Sequence, residues 1–354
     1  MAAAALAAVQ GISPTSFITP RAFLINNYSH ITHPNSQCGY SSGGARYYRL
    51  KWELNRGPVI GFQKKRHYSS IYRIRAADEP MKPPYNVLIT GSSKGIGYAL
   101  AKEFLRADDN VIICSRSDDR VQAAIENLKN EFGDQHLWGT TCDVRDGESV
   151  RALVEFARKT ISYVDIWINN AGSNAYSYKP LMETSDEALM EVVTTNTLGT
   201  MICCREAIKM MLCQPRGGHV FNMDGAGADG RPTPRFVAYG ATKRSLVHLT
   251  KSLQAELRMQ EIKKVMVHNL SPGMVTTDLL MSGSNTKQAK FFINVLAEPA
   301  DTVAEFLVPR IRAVPVKTSL KPTYIRFLTG FKAYSQILTR LLFNARKDRY
   351  VPED

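Results

Sequence analysis

A tyrosine and a lysine, Tyr239 and Lys243, are the side chains of this chain best suited to moving protons. They are four residues apart in a segment predicted to be helical, so both lie on one helical face, one turn apart. The pKa of a free phenol is about 10, which is too high for turnover at neutral pH, and a nearby cation lowers that pKa. The pair therefore predicts acid–base chemistry in which Lys243 lowers the pKa of Tyr239.

A glycine-rich segment between a predicted strand and a predicted helix indicates a nucleotide site. Its glycines, Gly91, Gly95 and Gly97, would let backbone N–H groups approach a pyrophosphate at the N-terminus of the helix. The position of the segment, directly after the first buried strand, makes the glycine pattern informative. We predict that the following residues bind the cofactor: Thr90, Gly91, Ser92, Ser93, Lys94, Gly95, Ile96 and Gly97.

The end of the second predicted strand bears on which cofactor is bound. An NAD-dependent enzyme usually offers an acid to the ribose 2′-OH there, whereas this chain has Ser115 and Arg116. Arg116, together with Lys94, would attract a 2′-phosphate through charge-assisted hydrogen bonds. NADPH is therefore favoured, while Asp118 and Asp119 nearby keep NADH possible.

Alternating strands and helices position these residues. Predicted strands cover 86–90, 110–115, 136–142, 166–171, 219–223 and 265–270, and predicted helices cover 94–106, 118–132, 147–161, 185–212 and 239–261. Because parallel strands need crossover helices, this order predicts an α/β fold with a doubly wound parallel sheet. Beyond Pro272 the pattern loosens into a loop at 276–287, a helix at 301–313, a strand at 324–328 and a helix at 331–349.

Three motifs together resemble the short-chain dehydrogenase/reductase family: the glycine spacing, the Tyr239 and Lys243 pair, and the segment Asn169-Asn170-Ala171-Gly172. The resemblance implies one Rossmann-like domain, here residues 77–330, and hydride transfer from a nicotinamide cofactor. It also implies that Lys243 holds the nicotinamide ribose and that Asn196 places a water molecule in the proton relay. The further cofactor contacts that it implies are Asp143, Val144, Asn170, Ala171, Gly172, Pro272, Gly273 and Thr276 or Thr277. Asp143 could instead, or also, cap the helix that follows it.

One side chain that the resemblance implies is missing. The family has a serine about thirteen residues before the tyrosine that hydrogen-bonds the reacting carbonyl, and Ala226 stands at that position here. Loss of such a donor can slow a reaction by about two or three powers of ten. Either the activity is lost, or Asp224, Thr233 or a backbone N–H group substitutes, or the substrate needs the space.

The segment from Asn222 to Pro234 resembles the corresponding part of plant chlorophyll(ide) b reductases, and the likeness extends from about residue 86 to the C-terminus. It implies reduction of the 7-formyl group of chlorophyll b or chlorophyllide b to a hydroxymethyl group, the first step of chlorophyll b degradation. It also implies a peripheral place on the stromal side of the thylakoid membrane, with a membrane-spanning paralogous reductase and the light-harvesting complex as partners. The small residues from Gly225 to Gly230 could leave room for a flat macrocycle, or could serve only a flexible turn.

Two other functions remain open at this point. A plastid 3-oxoacyl carrier-protein reductase should retain the serine and have a short C-terminus, and this chain does neither. A non-catalytic scaffold that binds the cofactor and a partner reductase would explain the missing serine, but the intact set of Tyr239, Lys243 and Asn196 argues against it.

Positive charge is concentrated at the N-terminus. Residues 1–76 carry seven Arg and three Lys against a single acid, Glu53, which accounts for +9 of the net charge of +13. This Ser- and Ala-rich leader, which opens MAAAALAAV, is typical of a plastid transit peptide. A basic arm that binds nucleic acid would show sustained Lys/Arg runs, so we predict no nucleic-acid partner.

The remaining features concern membranes and metals. The sequence has no run of about 18 uncharged apolar residues, so membrane association should be peripheral. Residues 331–354 contain a basic amphipathic helix that could pack on the domain, on an oligomer partner or on a membrane surface. The six cysteines show no C-x-x-C spacing and no partner histidines, so we predict reduced core residues and no metal site.

Overall fold

A parallel sheet is the centre of the computed structural model, which describes residues 81–283, 286–317 and 321–353. Within these residues the strand order is β3-β2-β1-β4-β5-β6-β7, and all six neighbouring pairs are parallel. The strands are β1 (Asn86–Thr90), β2 (Asn110–Ser115), β3 (Leu137–Thr141), β4 (Ile166–Asn169), β5 (Gly218–Met223), β6 (Val265–Ser271) and β7 (Tyr324–Arg326). The order reverses between β1 and β4, and ligands of such sheets bind at the carboxyl ends of the strands near this reversal.

Helices connect the strands and cover both faces of the sheet. They are α1 (Gly95–Arg106), α2 (Asp118–Phe132), α3 (Gly147–Ile161), α4 (Asp186–Val193), α5 (Thr200–Cys213), α6 (Val237–Met259), α7 (Asp278–Met281), α8 (Lys287–Leu296), α9 (Ala300–Arg312) and α10 (Gly330–Phe343). A short 3₁₀ turn, Leu181–Glu183, precedes α4, and a π-helical turn, Thr194–Gly199, joins α4 to α5. The predicted doubly wound α/β sheet is confirmed.

The core lies on both sides of the sheet. In β1, Val87 and Ile89 point into a cluster that includes residues of α1 and α9, while Leu88 points into a second cluster that includes residues of α3 and α5. Every residue of β1 is buried. A strand that is apolar on both faces is typical of a parallel sheet covered by helices, and it holds the end of β1 firmly in place.

Three segments differ from their predictions. The helix expected at 185–212 is interrupted by the π-helical turn, and the loop expected at 276–287 contains α7 and is followed directly by α8, which the sequence did not predict. Thr286 caps α8 by accepting a hydrogen bond from the backbone N–H of Ala289. The last helix ends at Phe343 rather than at residue 349, because Asn344 adopts the left-handed conformation with φ 51°.

The apolar stripe of α10 faces away from the described part of the domain. Its large side chains Phe331, Tyr334, Leu338, Leu341 and Leu342 are all at least 55% exposed. Within α10 only Arg340 is buried. The opposite face of α10 does pack on the domain, where the Arg340 guanidinium lies over the Phe291 ring of α8. The predicted packing of this helix on the domain is therefore confirmed for that face, while the five stripe residues stay exposed.

The structure tests two further predictions only in part. Cys114, Cys142, Cys203 and Cys204 are buried as expected, but Cys213, at the end of α5, is exposed. Cys38 and the whole leader, residues 1–76, lie outside the described residues. Among the described helices, none has the length and apolar character needed to cross a bilayer.

Candidate active site

A cavity of about 770 Å³ opens at the carboxyl ends of the strands. This size is within the range of cofactor and small-molecule sites. It brings together most of the residues predicted from sequence: Gly91, Ser93, Lys94, Gly95, Ile96, Gly97, Ser115, Arg116, Val144, Asn170, Ala171, Gly172, Asp224, Tyr239, Lys243, Pro272, Gly273 and Thr276. Four predicted residues, Thr90, Ser92, Asp143 and Asn196, are not part of its wall.

The glycine-rich loop is packed so closely that its glycines cannot carry side chains. A Cβ atom on Gly91, which has φ 64°, would lie 2.7 Å from the Cα atom of Ala171. A Cβ atom on Gly97 would lie 2.5 Å from the carbonyl oxygen of Gly91. Asn170 secures the loop by donating hydrogen bonds of 2.9 Å to the carbonyl oxygens of Thr90 and Gly91. The backbone of the loop is therefore held open toward the cavity at the N-terminus of α1, as a pyrophosphate site requires.

Thr90 and Ser92 hold the loop from behind. The hydroxyl of Thr90 accepts hydrogen bonds of 3.1 Å from the backbone N–H groups of Asn170 and Ala171. The hydroxyl of Ser92 donates to the carbonyl oxygen of Ile89 at 2.6 Å and accepts from the backbone N–H of Cys114 at 3.0 Å. With these bonds made, both side chains tie neighbouring strands together rather than face the cavity.

The two side chains of the central pair meet on α6 as predicted. The Lys243 ammonium lies 5.6 Å from the centre of the Tyr239 ring and donates a hydrogen bond of 3.1 Å to the carbonyl oxygen of Met223. Burial lowers the pKa of Lys243 to about 8, and the nearby Asp224 opposes this shift. Burial, with the charge of Asp224, raises the pKa of Tyr239 above its ordinary value. The expected lowering of the tyrosine pKa is therefore wrong, because burial and the Asp224 charge both raise it.

A raised pKa at Tyr239 suits the donation of a proton during a reduction. A phenol whose pKa is raised stays protonated at neutral pH, so Tyr239 can donate a proton to a developing alkoxide. With a pKa of about 8, Lys243 is mostly in its ammonium form at neutral pH. The pair is thus set to give a proton rather than to take one.

Asn196 lies behind the cavity wall, in the π-helical turn. Its side-chain oxygen accepts a hydrogen bond of 2.7 Å from the backbone N–H of Ser173, and its amide donates to the carbonyl oxygen of Ser173 at 2.8 Å and to the hydroxyl of Thr242 at 3.0 Å. A Cβ atom on Gly172 would lie 3.4 Å from both the Asn196 oxygen and the Lys243 nitrogen. The Asn196 side chain therefore lies near Lys243, with both of its amide hydrogens donated and its oxygen accepting one hydrogen bond.

The residue that faces the Tyr239 hydroxyl is Gly225 rather than Ala226. A Cβ atom on Gly225 would collide with the phenolic oxygen, whereas Ala226 lines the cavity beside it. Ala226, chosen by an offset of about thirteen residues from Tyr239, is thus one residue beyond the one that meets the hydroxyl. Nothing larger than glycine fits at this point unless Tyr239 shifts.

The candidates to replace the missing serine have different surroundings. The Thr233 hydroxyl donates to the carbonyl oxygen of Phe236 at 3.1 Å, and Thr233 is not in the cavity wall. Asp224 lines the cavity, but its carboxylate accepts a hydrogen bond from the Tyr324 hydroxyl. Sequence reasoning missed Ser173, whose hydroxyl accepts a 3.0 Å hydrogen bond from the backbone N–H of Ala175 and keeps its own proton to donate. Ser173 also lines the cavity, directly after Gly172.

The small residues after β5 serve both purposes considered for them, at different positions. Gly225 and Ala226 line the cavity and leave it wide. Gly227 and Gly230 both have φ 90°, and a Cβ atom on Gly227 would lie 2.7 Å from the Cα atom of Gly240 on α6. The first two residues therefore leave room for a ligand, and the later glycines serve the turn.

The end of the cavity beside β2 is basic. Arg116, Arg120 and Lys94 line it, whereas Asp118 and Asp119, in the first turn of α2, do not. Arg116 is paired with Glu191 at 3.1 Å, and Lys94 with Asp278 at 2.6 Å. Arg120 was not predicted, although its place one turn into α2 could have suggested it.

Asp143 is held away from the cavity. Its carboxylate is paired at 2.6 Å with Arg145, which also binds Glu191. The alternative role considered for Asp143, capping the next helix, is wrong because Asp146 caps α3 through the backbone N–H groups of Glu148 and Ser149. Val144 alone of the predicted Asp143–Val144 pair reaches the cavity wall.

Comparison with known proteins agrees with this site. Residues 85–288 match the short chain dehydrogenase family. The chain is 76% identical over 274 residues to chlorophyll(ide) b reductase NOL, chloroplastic, of Oryza sativa subsp. japonica, which covers 77% of this chain and 80% of that protein. It is 71% identical over 282 residues to the protein of the same name from Arabidopsis thaliana, which covers 80% and 81%. Among solved structures, the 3-ketoacyl-(acyl-carrier-protein) reductase from Brucella melitensis complexed with NADH superposes with a TM-score of 0.58 at 27% identity, covering 70% of this chain and 98% of that one.

Proposed function

The chain belongs to the short chain dehydrogenase family, and from that premise we propose that it reduces the 7-formyl group of chlorophyll b or chlorophyllide b to a hydroxymethyl group. The observation that carries the proposal is the identity of 76% to a chlorophyll(ide) b reductase, joined to a cavity that presents Tyr239 and Lys243 opposite the glycine-rich loop. Gly225 and Ala226 add almost no side-chain volume to the cavity wall, which supports a bulky carbonyl substrate.

The cavity fits a nicotinamide dinucleotide, because Gly91 and Gly97 pack too closely on Ala171 and on the loop itself to carry side chains, and the loop backbone lines the cavity at the N-terminus of α1. The glycine loop would hold the pyrophosphate, Lys243 the nicotinamide ribose, and the segment from Pro272 to Thr276 the nicotinamide end. When bound, the cofactor supplies the hydride that attacks the formyl carbon. Tyr239 then donates its phenolic proton to the alkoxide oxygen, and Lys243, Asn196 and water return a proton to the phenol. Ser173, which lines the cavity and whose hydroxyl accepts a hydrogen bond from the backbone N–H of Ala175, could orient the carbonyl in place of the missing serine.

The test is to mix the purified protein with NADPH and chlorophyll b and to follow the absorption shift that accompanies loss of the formyl group. We expect the shift to require both the protein and NADPH. Reduction of a 3-oxoacyl thioester with no pigment reduction would support the carrier-protein reductase instead. Binding of NADPH without reduction of either compound would support a scaffold.

We propose NADPH as the preferred cofactor. Arg116 and Arg120 lie at the end of the cavity where the adenosine ribose would bind, and the first-turn acids of α2 point elsewhere. A 2′-phosphate could replace Glu191 as the partner of Arg116. The relatives and neighbours leave both nicotinamide cofactors possible, so the basic wall is the supporting observation.

Arg116→Ala should raise the KM for NADPH about tenfold, which is the loss of one charge-assisted hydrogen bond, and leave the KM for NADH nearly unchanged. Steady-state kinetics with both cofactors measures the ratio. Arg151→Ala, which removes an exposed arginine paired with Glu148 on α3, serves as the matched control. A parallel rise of both KM values in Arg116→Ala would contradict the assignment of Arg116 to the 2′-phosphate.

We further propose that residues 1–76 are a plastid transit peptide and that the mature protein lies on the stromal side of the thylakoid membrane. The relatives named above are chloroplastic. The exposed stripe of α10 supports peripheral attachment, since five large apolar side chains share one face and the helix carries no acidic residue. A membrane-spanning paralogous reductase and the light-harvesting complex would then be the partners that present the pigment.

The double variant Leu338→Asp and Leu342→Asp should lose vesicle binding by about tenfold or more, because two charges on the stripe cannot enter the lipid interface. Flotation of the protein with vesicles that contain phosphatidylglycerol measures the bound fraction. Met259→Asp, at an exposed methionine at the end of α6, is the control for an added charge elsewhere. Equal binding by the double variant and the parent protein would exclude α10 as the attachment surface.

A further inference from the structure

A buried carboxylate lies beside the two central side chains, at the end of β5. Asp224 is 2% exposed, and its backbone N–H donates a hydrogen bond of 2.8 Å to the carbonyl oxygen of Leu270 on β6. It directly follows Met223, whose carbonyl oxygen accepts the hydrogen bond from the Lys243 ammonium. The chain therefore holds an acid close to the pair that is proposed to deliver the proton.

Two hydroxyls of the described residues, those of Tyr324 and Ser271, interact with this carboxylate. The Tyr324 hydroxyl donates to Oδ2 of Asp224, whereas Oδ1 is buried and forms no hydrogen bond with the described part of the chain. Tyr324 comes from β7, two strands away from β5: it is in register with Asn269, and Asn269 is in register with Asn222. The phenol thus reaches across β6 to the Asp224 carboxylate.

We propose that Tyr324 is a positioning residue that acts through Asp224: its hydrogen bond holds the Asp224 carboxylate in place at the end of β5, directly after the carbonyl that binds Lys243, and the carboxylate in that position supports the ammonium form of Lys243. Its consequence for turnover rests on the proposed function, because a protonated Lys243 is what returns a proton to Tyr239. No reagent beyond water is involved. Lys243 passes one proton to the phenolate and regains one from solvent.

The charges around Asp224 decide the direction of the effect. Burial raises the pKa of Asp224, while the hydroxyls of Tyr324 and Ser271 and the positive charges of Lys243 and Arg326 lower it. Arg326 also packs over the Tyr324 ring, with its guanidinium carbon 3.9 Å from the ring centre. Removing the Tyr324 hydroxyl takes away a hydrogen bond to the charged form, so Asp224 should take up a proton more readily.

An Asp224 carboxylate that has lost this hydrogen bond is held less firmly and is more easily protonated, so it would oppose the effect of burial on Lys243 less strongly. The pKa of Lys243 is lowered by burial and raised by Asp224, so a weaker contribution from the carboxylate lowers it further. The ammonium form is present below the pKa and lost above it. In Tyr324→Phe the loss of the ammonium should therefore begin at a lower pH, and the alkaline fall of turnover should shift in the same direction.

The titration of Lys243 can be observed without pigment or cofactor. We would label the lysines with ¹³C at Cε, follow their NMR signals against pH in the folded protein, and assign Lys243 by its disappearance in Lys243→Met. We expect a midpoint of about 8 in the parent protein. In Tyr324→Phe we expect a midpoint lower by about half a pH unit to one unit, and in Asp224→Asn a midpoint at least as low.

Controls separate this role from a general loss of structure. Tyr163→Phe removes a phenolic oxygen near the amino end of β4, close to Arg216, and should leave the midpoint unchanged. Adding Tyr324→Phe to Asp224→Asn should cause no further shift, since the tyrosine acts through the carboxylate. An unchanged Lys243 midpoint in Tyr324→Phe would overturn the proposal, even if Asp224→Asn fails to fold. Absence of pigment reduction by the parent protein would instead contradict only the proposed function.

Discussion

Tyr239→Phe should reduce the turnover of chlorophyll b by about a thousandfold, which is within the usual contribution of a general acid. The substitution removes only the phenolic oxygen, and the ring that packs beside Phe236 and Lys243 remains. Because the hydroxyl lies over Gly225 rather than in the glycine-rich loop, the dissociation constant of NADPH should stay within about twofold. Single-turnover kinetics and NADPH fluorescence titration measure the two quantities separately.

The control for this variant is Tyr163→Phe, which should retain full turnover. Near-normal turnover in Tyr239→Phe would show that another group donates the proton. A large loss of NADPH affinity in the same variant would show that Tyr239 acts chiefly through cofactor binding.

Gly97→Ala should weaken NADPH binding by about tenfold to a hundredfold, corresponding to the cost of about 1–3 kcal/mol for forcing a methyl group into a filled space. The added Cβ atom would lie 2.5 Å from the carbonyl oxygen of Gly91 and would collide with the amide nitrogen of Asn170. The Gly91 carbonyl belongs to the glycine-rich loop and Asn170 is hydrogen-bonded to it, so the loop must open to accept the methyl group. Fluorescence titration with NADPH gives the change in dissociation constant.

Gly330→Ala is the matched control, since a Cβ atom on Gly330, at the start of α10, would meet nothing within 4 Å. It should bind NADPH as the parent protein does. If Gly97→Ala also bound NADPH normally, the glycine-rich loop would not be the pyrophosphate site. A lower melting temperature with unchanged affinity would assign Gly97 to stability alone.

The strands near the site were predictable because their signals are local. β1 and β2 begin and end at the predicted residues, since each is a short apolar run, and Pro84 and Gly91 flank β1. The glycine loop and the Tyr239 and Lys243 pair follow from residue type and spacing within a few positions. Such features depend on backbone geometry that the local sequence determines.

The features that the sequence did not reveal depend on contacts between distant segments. Tyr324 reaches Asp224 across 100 residues of sequence, and neither neighbourhood signals the other. Likewise, the pairing of Lys94 with Asp278 joins the first loop to α7 across 184 residues. The direction of the Tyr239 pKa shift was wrong for the same reason, because the spacing shows the lysine but not the burial.

The position that corresponds to the missing serine also differs from the prediction, by one residue. A fixed offset from the tyrosine chose Ala226, but the structure puts Gly225 against the hydroxyl. Which of these two neighbouring small residues meets the phenol depends on the path of the loop between β5 and α6, and residue type alone does not show that path. Glycine thus stands at the point of the cavity wall where a side chain would meet the phenol.

The measurement that tests hydride transfer to the pigment most directly uses NADPH carrying deuterium at C4 of the nicotinamide. The protein is incubated with this cofactor and chlorophyll b, and the product is analysed by mass spectrometry. Direct transfer predicts one deuterium on the new hydroxymethyl carbon when the transferred face is labelled, and none when the opposite face is labelled. A reduced pigment without deuterium from either face, or no reduced pigment at all, would contradict it.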